Sequence, residues 1–229
     1  MKIQNLEILK FKPELNKKVK LVIEPLAPLS MVSDLPGSYY KVQEIPDKFK
    51  LAGLFENILG WQFGKKTRQD ILKDLKKHYK KKFKEKDYDL DVSNSGFQPL
   101  LLDYFEIGMV YKSESMNYND LWKRSFRRND EDVHPKGTPN LDYQKLREKQ
   151  IQLKSISLKE FYKSNLSSFP LYYTTPTLRE YIDYLGQNIQ ISLKIDQTLL
   201  SLLNQAINEC SSAYLGNSEG WVEIKIEEL

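Results

Sequence analysis

The clearest pattern of hydrophobic and polar positions along the chain is a short amphipathic helix between Asp47 and Gly60. Asp47 suits the capping position before a helix, and Gly60 suits the left-handed residue that ends one. Its apolar positions follow the spacing i, i+3, i+4 and i+7 and are Leu51, Leu54, Phe55, Ile58 and Leu59. Because so short a helix is unstable alone in water, it must pack against a sheet. We therefore expect the polar aromatic loop before it, residues 35–41, to be held on a rigid edge.

Alternating or continuous apolar positions predict β-strands over residues 2–11, 18–24, 99–111, 169–174, 187–195 and 221–226. The alternation is cleanest in the 187–195 segment, which we expect to be buried on one face. The 99–111 segment is apolar over most of its length, which predicts a central strand. Gly108 within it indicates a β-bulge.

Two further helices are predicted. Thr67 and Asp70 have the spacing of a capping box, and apolar residues then continue at helical spacing to about Lys84, with lysines on the opposite side. Asp196 is expected to cap a second helix that runs through Cys210. The cysteine continues the apolar stripe of that helix, so we expect it to be buried as a small hydrophobic residue.

The segment 112–140 loses periodicity and carries turn residues throughout. A long irregular segment inside a compact domain is typically functional or disordered. Tyr118, Trp122 and Phe126 recur every four residues, which predicts a short helix bearing aromatic and cationic groups. A polar, weakly helical stretch follows over residues 141–165.

This order of elements is typical of an α+β protein with a ferredoxin-like, RRM-like antiparallel sheet and helices. We divide the chain into an N-terminal ferredoxin-like part, residues 1–111, and an inserted arm, or thumb, with a helical segment, residues 112–165. The C-terminal strands and helix, residues 166–229, form a β-rich portion that completes the fold.

Composition excludes several classes of protein. No stretch reaches the roughly 20 apolar residues of a membrane span, and the N-terminus lacks a signal-peptide core, so we expect a cytoplasmic protein without membrane contact. Cys210 is the single cysteine, and His78 and His134 lie far apart without ligand spacing, so we expect no metal site and no cofactor. Nucleotide-binding and serine-hydrolase motifs are absent from the sequence.

Positive charge is concentrated in the middle of the chain, although the net charge is only +4. Residues 65–86 are rich in lysine, and the helix they form is either a solvated face or a surface that follows a nucleic-acid backbone. Residues 123–128 read KRSFRR. Cations interleaved with aromatic rings are typical of single-stranded nucleic-acid binding.

Three segments, in order along the chain, resemble the CRISPR-associated Cas-five family of the RAMP superfamily. Residues 25–61 resemble its strand and loop with a Ser/Tyr pair, which lead into an A/L-x-G-L-x-x-x-x-L-G helix. TPTLREYI, residues 175–182, resembles its R-E-Y-L strand, whereas the spacing of Thr177 and Glu180 favours a helix start there. YLGNSEGWVEI, residues 214–224, resembles its L-G-x-S-E segment.

The resemblance implies a non-catalytic subunit of a type I CRISPR Cascade complex, a ribonucleoprotein of antiviral defence. Such a subunit holds the 5′ handle of the crRNA, caps the filament of backbone subunits and contacts the large subunit, with target DNA an indirect partner. The expected RNA-binding residues are Gly37, Ser38, Tyr39, Tyr40 and Lys41 in the loop, and Trp122, Lys123, Arg124, Arg127, Arg128 and Lys136 in the arm. Because adjacent strand residues face opposite sides, one of the two loop tyrosines is expected inside and the other outside.

Two other functions stay open. Some members of the resembling family cut their own RNA without metal, using a tyrosine, a lysine and a histidine, and either loop tyrosine with Lys77 and His78 imitates that set. His78 lies among lysines on an exposed helix face, which favours the non-catalytic role over this endoribonuclease. The third hypothesis is an RNA-binding protein unrelated to CRISPR systems.

Overall fold

The computed structural model describes residues 6–34, 39–85, 88–93, 97–122, 125–127, 138–139, 160, 164, 171–173, 177–217 and 219–229. The chain divides into two compact units. The first comprises Met1–Pro36, Tyr40–Tyr118 and Glu180–Leu229, and the second comprises Gly37–Tyr39 and Asn119–Arg179. Helices and antiparallel sheets occur together, which confirms the predicted α+β class.

The described strands are β1 Lys17–Pro25, β2 Val32–Asp34, β3 Tyr39–Val42, β4 Phe105–Lys112, β5 Met116–Trp122, β6 Ser125–Arg127, β7 Thr138–Pro139, β8 Leu171–Tyr173, β9 Thr177–Asp183, β10 Ile189–Ile195, β11 Ser212–Tyr214 and β12 Trp221–Glu228. The helices are α1 Lys48–Ile58, α2 Lys65–Lys82 and α3 Gln197–Glu209, with 3₁₀ turns at Leu6–Lys10 and Leu102–Tyr104. Predicted strands at 18–24, 187–195 and 221–226 are thereby confirmed, and so is the described part, Leu171–Tyr173, of the strand predicted at 169–174.

A five-stranded sheet forms the centre of the first unit, in the order β11-β12-β1-β10-β4 with every neighbouring pair antiparallel. Along the chain, β1, α1, β4, β10, α3 and β12 give the β-α-β-β-α-β connectivity of the ferredoxin-like plan, with β1 and β10 central. Strand β4 lies at the edge, so the prediction of a central strand there is wrong.

The predicted bulge in β4 is confirmed. Gly108 and Met109 both lie opposite Ser192, between the pairs Ile107–Leu193 and Val110–Ile191. The Ser192 hydroxyl accepts a hydrogen bond from the Met109 N–H at 2.7 Å. A Cβ atom on Gly108 would lie 2.6 Å from that hydroxyl oxygen, so a larger residue there would have to displace the Ser192 side chain.

The hydrophobic core lies on one face of this sheet. The inward residues of β1 are buried, and so are Leu51, Leu54 and Phe55 of α1, while Ile58 and Leu59 are partly buried against them. Phe55 of α1 meets Phe105 edge to face, with ring centroids 5.0 Å apart. The Asp47 carboxylate caps α1 by accepting from the Lys50 N–H at 2.8 Å, and Gly60 follows the helix with a φ of 74°. Both predicted ends of α1 are therefore confirmed.

A buried ion pair fixes α1 to the chain that follows it. Glu56 is 2% exposed, and its carboxylate accepts from the Arg68 guanidinium of α2 at 2.7 Å and from the Leu100 N–H. Burial raises the pKa of the Glu56 carboxyl, whereas Arg68 and the backbone donor act in the opposite direction. The loop upstream of α1 is thus attached to a well-anchored helix.

Two predictions near the N-terminus are wrong. Leu6–Lys10 forms a 3₁₀ turn where a strand was predicted, because tertiary hydrogen bonds hold its end: the Tyr104 hydroxyl donates to the carbonyls of Ile8 and Phe11. Helix α2 begins at Lys65 with Gly64 at the capping position, so Thr67 and Asp70 already lie inside the helix and form no capping box.

Two further corrections concern the later chain. The helix predicted from the spacing of Tyr118, Trp122 and Phe126 is wrong, because residues four apart also share one face of a strand, and β5 and β6 occupy this region. Asp196 caps α3 as predicted, accepting from the N–H groups of Thr198 and Leu199. Cys210 is nevertheless exposed, because α3 ends at Glu209 and the backbone turns extended there.

Two smaller sheets complete the described structure, with strand orders β2-β3-β9-β5 and β6-β8-β7. The helix predicted over residues 141–165 lies outside the described residues, apart from two isolated positions. Among the helices described, none is long and apolar enough to cross a membrane.

Candidate functional site

Three segments far apart in the chain meet in the first unit, at strand β9. Glu180 of β9 accepts a hydrogen bond from the Val42 N–H of β3 at 2.9 Å. The other carboxylate oxygen lies 3.4 Å from the Asn117 amide nitrogen of β5. Since β9 lies between β3 and β5 in the second sheet, Glu180 ties both neighbours to its own strand. The end of the aromatic loop is thereby held in place.

The chain before β2 is attached to the same strand. The Ser30 side chain, 2% exposed, donates its hydroxyl to the Glu180 carbonyl at 3.0 Å. Leu29 and Ile182 exchange two backbone hydrogen bonds of 2.8 Å each. Backbone and side-chain contacts together therefore dock residues 29–31 against β9.

The third segment is the turn after β11. Gly216 has a φ of 85°, and a Cβ atom there would lie 2.7 Å from the Ser30 carbonyl oxygen. Only glycine allows both that conformation and that approach. Nearby, the Tyr181 hydroxyl of β9 donates to the Glu219 carboxylate at 3.4 Å. The turn, β9 and residues 29–31 thus form one packed site.

Stacked aromatic rings lie on this site. The rings of Tyr118 and Tyr181 are nearly parallel, at an interplanar angle of 16°, with centroids 5.7 Å apart. Tyr118 is 40% exposed, and Asn117 beside it is exposed as well. Aromatic faces with amide groups beside them are the means by which proteins hold unpaired bases. We call Asn117, Tyr118, Glu180 and Tyr181 the tyrosine cluster.

The turn after β11, whose Glu219 contacts Tyr181 of the cluster, contains a side-chain amide without a described hydrogen bond. Both polar side-chain atoms of Asn217 are buried and have no hydrogen-bond partner within the described part of the chain. Buried polar groups in native proteins are nearly always paired, with protein, water or ligand. Asn217 lies in this turn, two residues before Glu219.

The predicted loop residues are only partly described. Tyr39 and Tyr40 are both half-buried, so the expected difference between an inward and an outward tyrosine is not found, while Lys41 is exposed. Within the second unit, the Tyr39 hydroxyl donates to the Asn119 side chain at 3.1 Å. Gly37 and Ser38 lie outside the described residues.

The predicted arm residues stay predictions. Trp122 belongs to β5 and Arg127 to β6, but their side chains are not described. The remaining arm residues of the prediction lie outside the described residues; they are Lys123, Arg124, Arg128 and Lys136.

The hypothetical catalytic histidine lies on α2. His78 is half-buried, and its Nε2 atom lies 3.1 Å from the Lys10 carbonyl oxygen. Lys77 on the same helix is paired with Asp74 at 3.3 Å. Within the described residues, no three acidic, histidine or cysteine side chains are grouped so that they could hold a metal ion.

Sequence reasoning missed Glu180 and Tyr181 as site residues. The sequence did contain a motif that covers them, because REYI, residues 179–182, lies in one of the three segments that carry the family resemblance. The segment forms a strand as the resemblance implied, not the helix start that local spacing favoured. The resemblance located the segment, but the partners of its side chains are set by tertiary contacts.

Replacing Glu180 is expected to loosen this site. Glu180→Ala removes the acceptor of the Val42 N–H and should lower the free energy of unfolding by about 1 to 3 kcal/mol. Glu180→Gln keeps an acceptor oxygen and should retain most of that stability. Chemical denaturation of both variants measures the difference. Equal losses in the two variants would contradict a role based on this hydrogen bond.

Comparisons with known proteins give a family match and a weak similarity to a solved chain. A family model described as CRISPR-associated protein Cas5p matches residues 4–226. A solved chain from a cryo-EM structure of the Type III-B Cmr-beta bound to cognate target RNA and AMPPnP is similar at 13% identity and a TM-score of 0.34, covering 92% of this chain. This chain spans 63% of the length of that one. No curated protein sequence gives a significant match.

Proposed function

Since the chain belongs to the CRISPR-associated protein Cas5p family, we propose that it is a non-catalytic subunit of a type I CRISPR Cascade complex that binds the 5′ handle of the crRNA. In the proposal it also caps the filament of backbone subunits and contacts the large subunit, in the cytoplasm. Family membership itself supports the coarser statement, an RNA-binding role in CRISPR defence.

The observation that carries the proposal is the convergence of the three family-like segments on one site. Ser30, Glu180 and Gly216 come from the three different segments. Ser30 donates a hydrogen bond to the Glu180 carbonyl, and Gly216 packs closely against the Ser30 carbonyl oxygen. Ser30 and Glu180 are 150 residues apart in the chain, and the fold brings their segments together beneath one surface. That surface bears the tyrosine cluster, whose chemistry suits unpaired bases.

Each group of the site has a role in the proposal. The rings of Tyr118 and Tyr181 stack on bases of the handle, and the amide of the exposed Asn117 hydrogen-bonds to a base edge. Lys41 neutralises a phosphate, which positions the RNA without reading its sequence. Glu180 is a positioning residue, because its carboxylate is occupied by Val42 and Asn117.

The arm contributes phosphate contacts in this proposal. Its cations, with Arg127 and Arg128 among them, neutralise phosphates of the RNA backbone and so position the RNA. In the proposal, Trp122 and the loop residues Gly37, Ser38, Tyr39 and Tyr40 also bind RNA. The arm would lie over the handle or on a neighbouring subunit.

The purified chain tests the proposal directly. It is expected to bind a repeat-derived handle RNA more tightly than a scrambled RNA of equal length, because stacking and amide contacts discriminate among bases. The RNA should remain intact in the absence and presence of divalent metal, as gel electrophoresis would reveal. Equal affinity for both RNAs would contradict handle recognition.

Cleavage of the repeat RNA without metal would instead favour the endoribonuclease of the same family. Loss of that cleavage in His78→Ala and in Tyr40→Phe would then assign the active residues. The described contact that bears on this alternative is that of His78, whose Nε2 atom already lies within hydrogen-bond distance of the Lys10 carbonyl oxygen.

A further inference from the structure

Helix α2 carries a row of lysines on the side opposite its buried residues. Leu72, Leu75 and Tyr79 form the buried side, each less than a tenth exposed. The exposed lysines on the opposite side are Lys66, Lys73, Lys77, Lys80 and Lys81. At 3.6 residues per turn they form one stripe along the helix, roughly 22 Å long at 1.5 Å per residue. We call these five residues the lysine stripe.

The lysine stripe has a surplus of positive charge. Within α2, nine residues are cationic and two are acidic. Asp70 and Asp74 lie 3.6 Å and 3.3 Å from the ammonium groups of Lys73 and Lys77, and all four side chains are more than half exposed. Exposed pairs of this kind contribute about 0 to 1 kcal/mol, so an incoming phosphate can replace the aspartate.

The other three lysines of the stripe have fewer ion-pair contacts than Lys73 and Lys77. Lys66, Lys80 and Lys81 form no ion pair within the part of the chain that the structure describes. By contrast, Lys76, to one side of the stripe, pairs with Asp89 at 2.7 Å. Lys82, at the end of the helix, lies over the ring of Phe11 at 4.3 Å.

The helix beneath the stripe is firmly anchored. The Tyr79 hydroxyl donates to the Phe11 carbonyl at 2.9 Å, and its ring stacks on Tyr88 with centroids 3.9 Å apart. Burial raises the pKa of Tyr79, so the hydroxyl remains a donor at neutral pH. Arg68 in turn is paired with the buried Glu56. The ammonium groups are therefore presented on a rigid element.

The chemistry of the stripe favours duplex DNA among polyanions. Binding of unpaired bases uses aromatic stacking, but the aromatic residues of α2 face inward, as Tyr79 does. A protein partner would use an apolar anchor, and the apolar residues of α2 are on the buried side as well. A straight row of ammonium groups instead matches the regular phosphate charge of a duplex, about one per 1.7 Å of axis.

We propose that the lysine stripe of α2 binds the phosphate backbone of duplex DNA without reading its sequence. The proposal rests on the proposed function only for the source of that DNA, which is the target duplex that a guide complex approaches. The surface is separate from the tyrosine cluster, which is the proposed site for guide RNA. Duplex binding and handle binding therefore respond to different substitutions.

The test compares two triple variants with the same change in charge. Lys77→Gln with Lys80→Gln and Lys81→Gln removes three members of the stripe and keeps helix propensity. The matched control replaces three exposed lysines of the five-stranded sheet: Lys18→Gln with Lys194→Gln and Lys225→Gln. Fluorescence anisotropy with a labelled duplex of arbitrary sequence, over a range of salt concentrations, gives the affinity of each protein.

The stripe variant is expected to lose at least about tenfold in duplex affinity at low salt. The slope of log affinity against log salt should become shallower by about 2.7, because each lost phosphate contact removes about 0.9. The sheet variant should keep the slope of the unchanged protein. Both variants should keep their affinity for handle RNA and their thermal unfolding midpoint.

Three results would overturn the proposal. An equal loss in the sheet variant would assign the binding to net charge alone. An equal loss of handle RNA affinity would make α2 part of the RNA surface. Unchanged duplex binding, with assembly into the complex lost, would make the stripe a protein interface. If the triple variant unfolds, Lys66→Gln with Lys73→Gln takes its place, with an expected slope change of about 1.8.

Discussion

Glu56→Ala is expected to lower the free energy of unfolding by about 3 to 5 kcal/mol, because it breaks a buried ion pair by removing one partner. The substitution leaves the Arg68 guanidinium, whose side chain is 12% exposed, without its carboxylate. It also removes the acceptor of the buried Leu100 N–H. Denaturant-induced unfolding, followed by circular dichroism, measures the loss.

The matched control is an exposed ion pair of the same length. Lys76 and Asp89 are also 2.7 Å apart, but both side chains are about half exposed. Lys76→Ala should therefore change stability by about 1 kcal/mol or less. A loss in Glu56→Ala no greater than that of Lys76→Ala would show that burial does not strengthen this pair.

In the Arg68→Met variant, the free energy of unfolding should depend on pH through the Glu56 carboxyl, and the direction of the change can be predicted. Without Arg68, the pKa of the buried Glu56 carboxyl rises further above its ordinary value, since burial already raises it. The folded state then binds a proton that the unfolded state releases. Stability of the variant should therefore fall as pH rises from about 4.5. A variant equally destabilised at pH 5 and pH 7 would contradict this effect.

Tyr118→Ala and Tyr181→Ala are each expected to reduce affinity for the handle RNA by about 5- to 150-fold. The expectation follows from base stacking, which contributes about 1 to 3 kcal/mol per base in single-stranded complexes. Because the two rings lie 5.7 Å apart and nearly parallel, they form one stacking surface. The double variant should lose less than the sum of the two single losses.

Conservative variants separate stacking from folding. Tyr118→Phe keeps the ring and should bind the handle almost as the unchanged protein does. Tyr111→Ala removes a more exposed tyrosine, at 62%, from strand β4 and should leave RNA affinity unchanged. If Tyr118→Ala and Tyr181→Ala fold normally and bind the handle as tightly as Tyr111→Ala, the tyrosine cluster is not the RNA site.

Patterns within short stretches of sequence correctly predicted the features that depend on neighbouring residues: helix caps, the alternation of one strand and a β-bulge. The caps of α1 and α3 were predicted from Asp47 and Asp196, because a capping carboxylate bonds to N–H groups two or three residues away. The alternation over β10 predicted a strand buried on one face, and its inward residues are buried. Gly108 likewise marked a bulge that the register of β4 confirms.

The predictions failed in two situations. In one, the same sequence pattern fits both a helix and a strand; in the other, hydrogen bonds from residues distant in the chain determine the local structure. Residues spaced four apart share one face in a helix and also in a strand, so the spacing of Tyr118 and its neighbours does not determine their secondary structure. Pairing with neighbouring strands places Tyr118 in β5. The 3₁₀ turn at Leu6–Lys10 depends on the Tyr104 hydroxyl, almost a hundred residues later.

The sequence by itself determined the family, the α+β class and the three segments that resemble the family, because motifs, caps and periodicity are properties of short stretches. Only the tertiary structure decided that those segments form one site. Val42 and Glu180 are 138 residues apart, and their hydrogen bond depends on β3 and β9 becoming neighbours in a sheet. Strand pairing over such a separation is set by the packing of the whole unit, which no local pattern encodes.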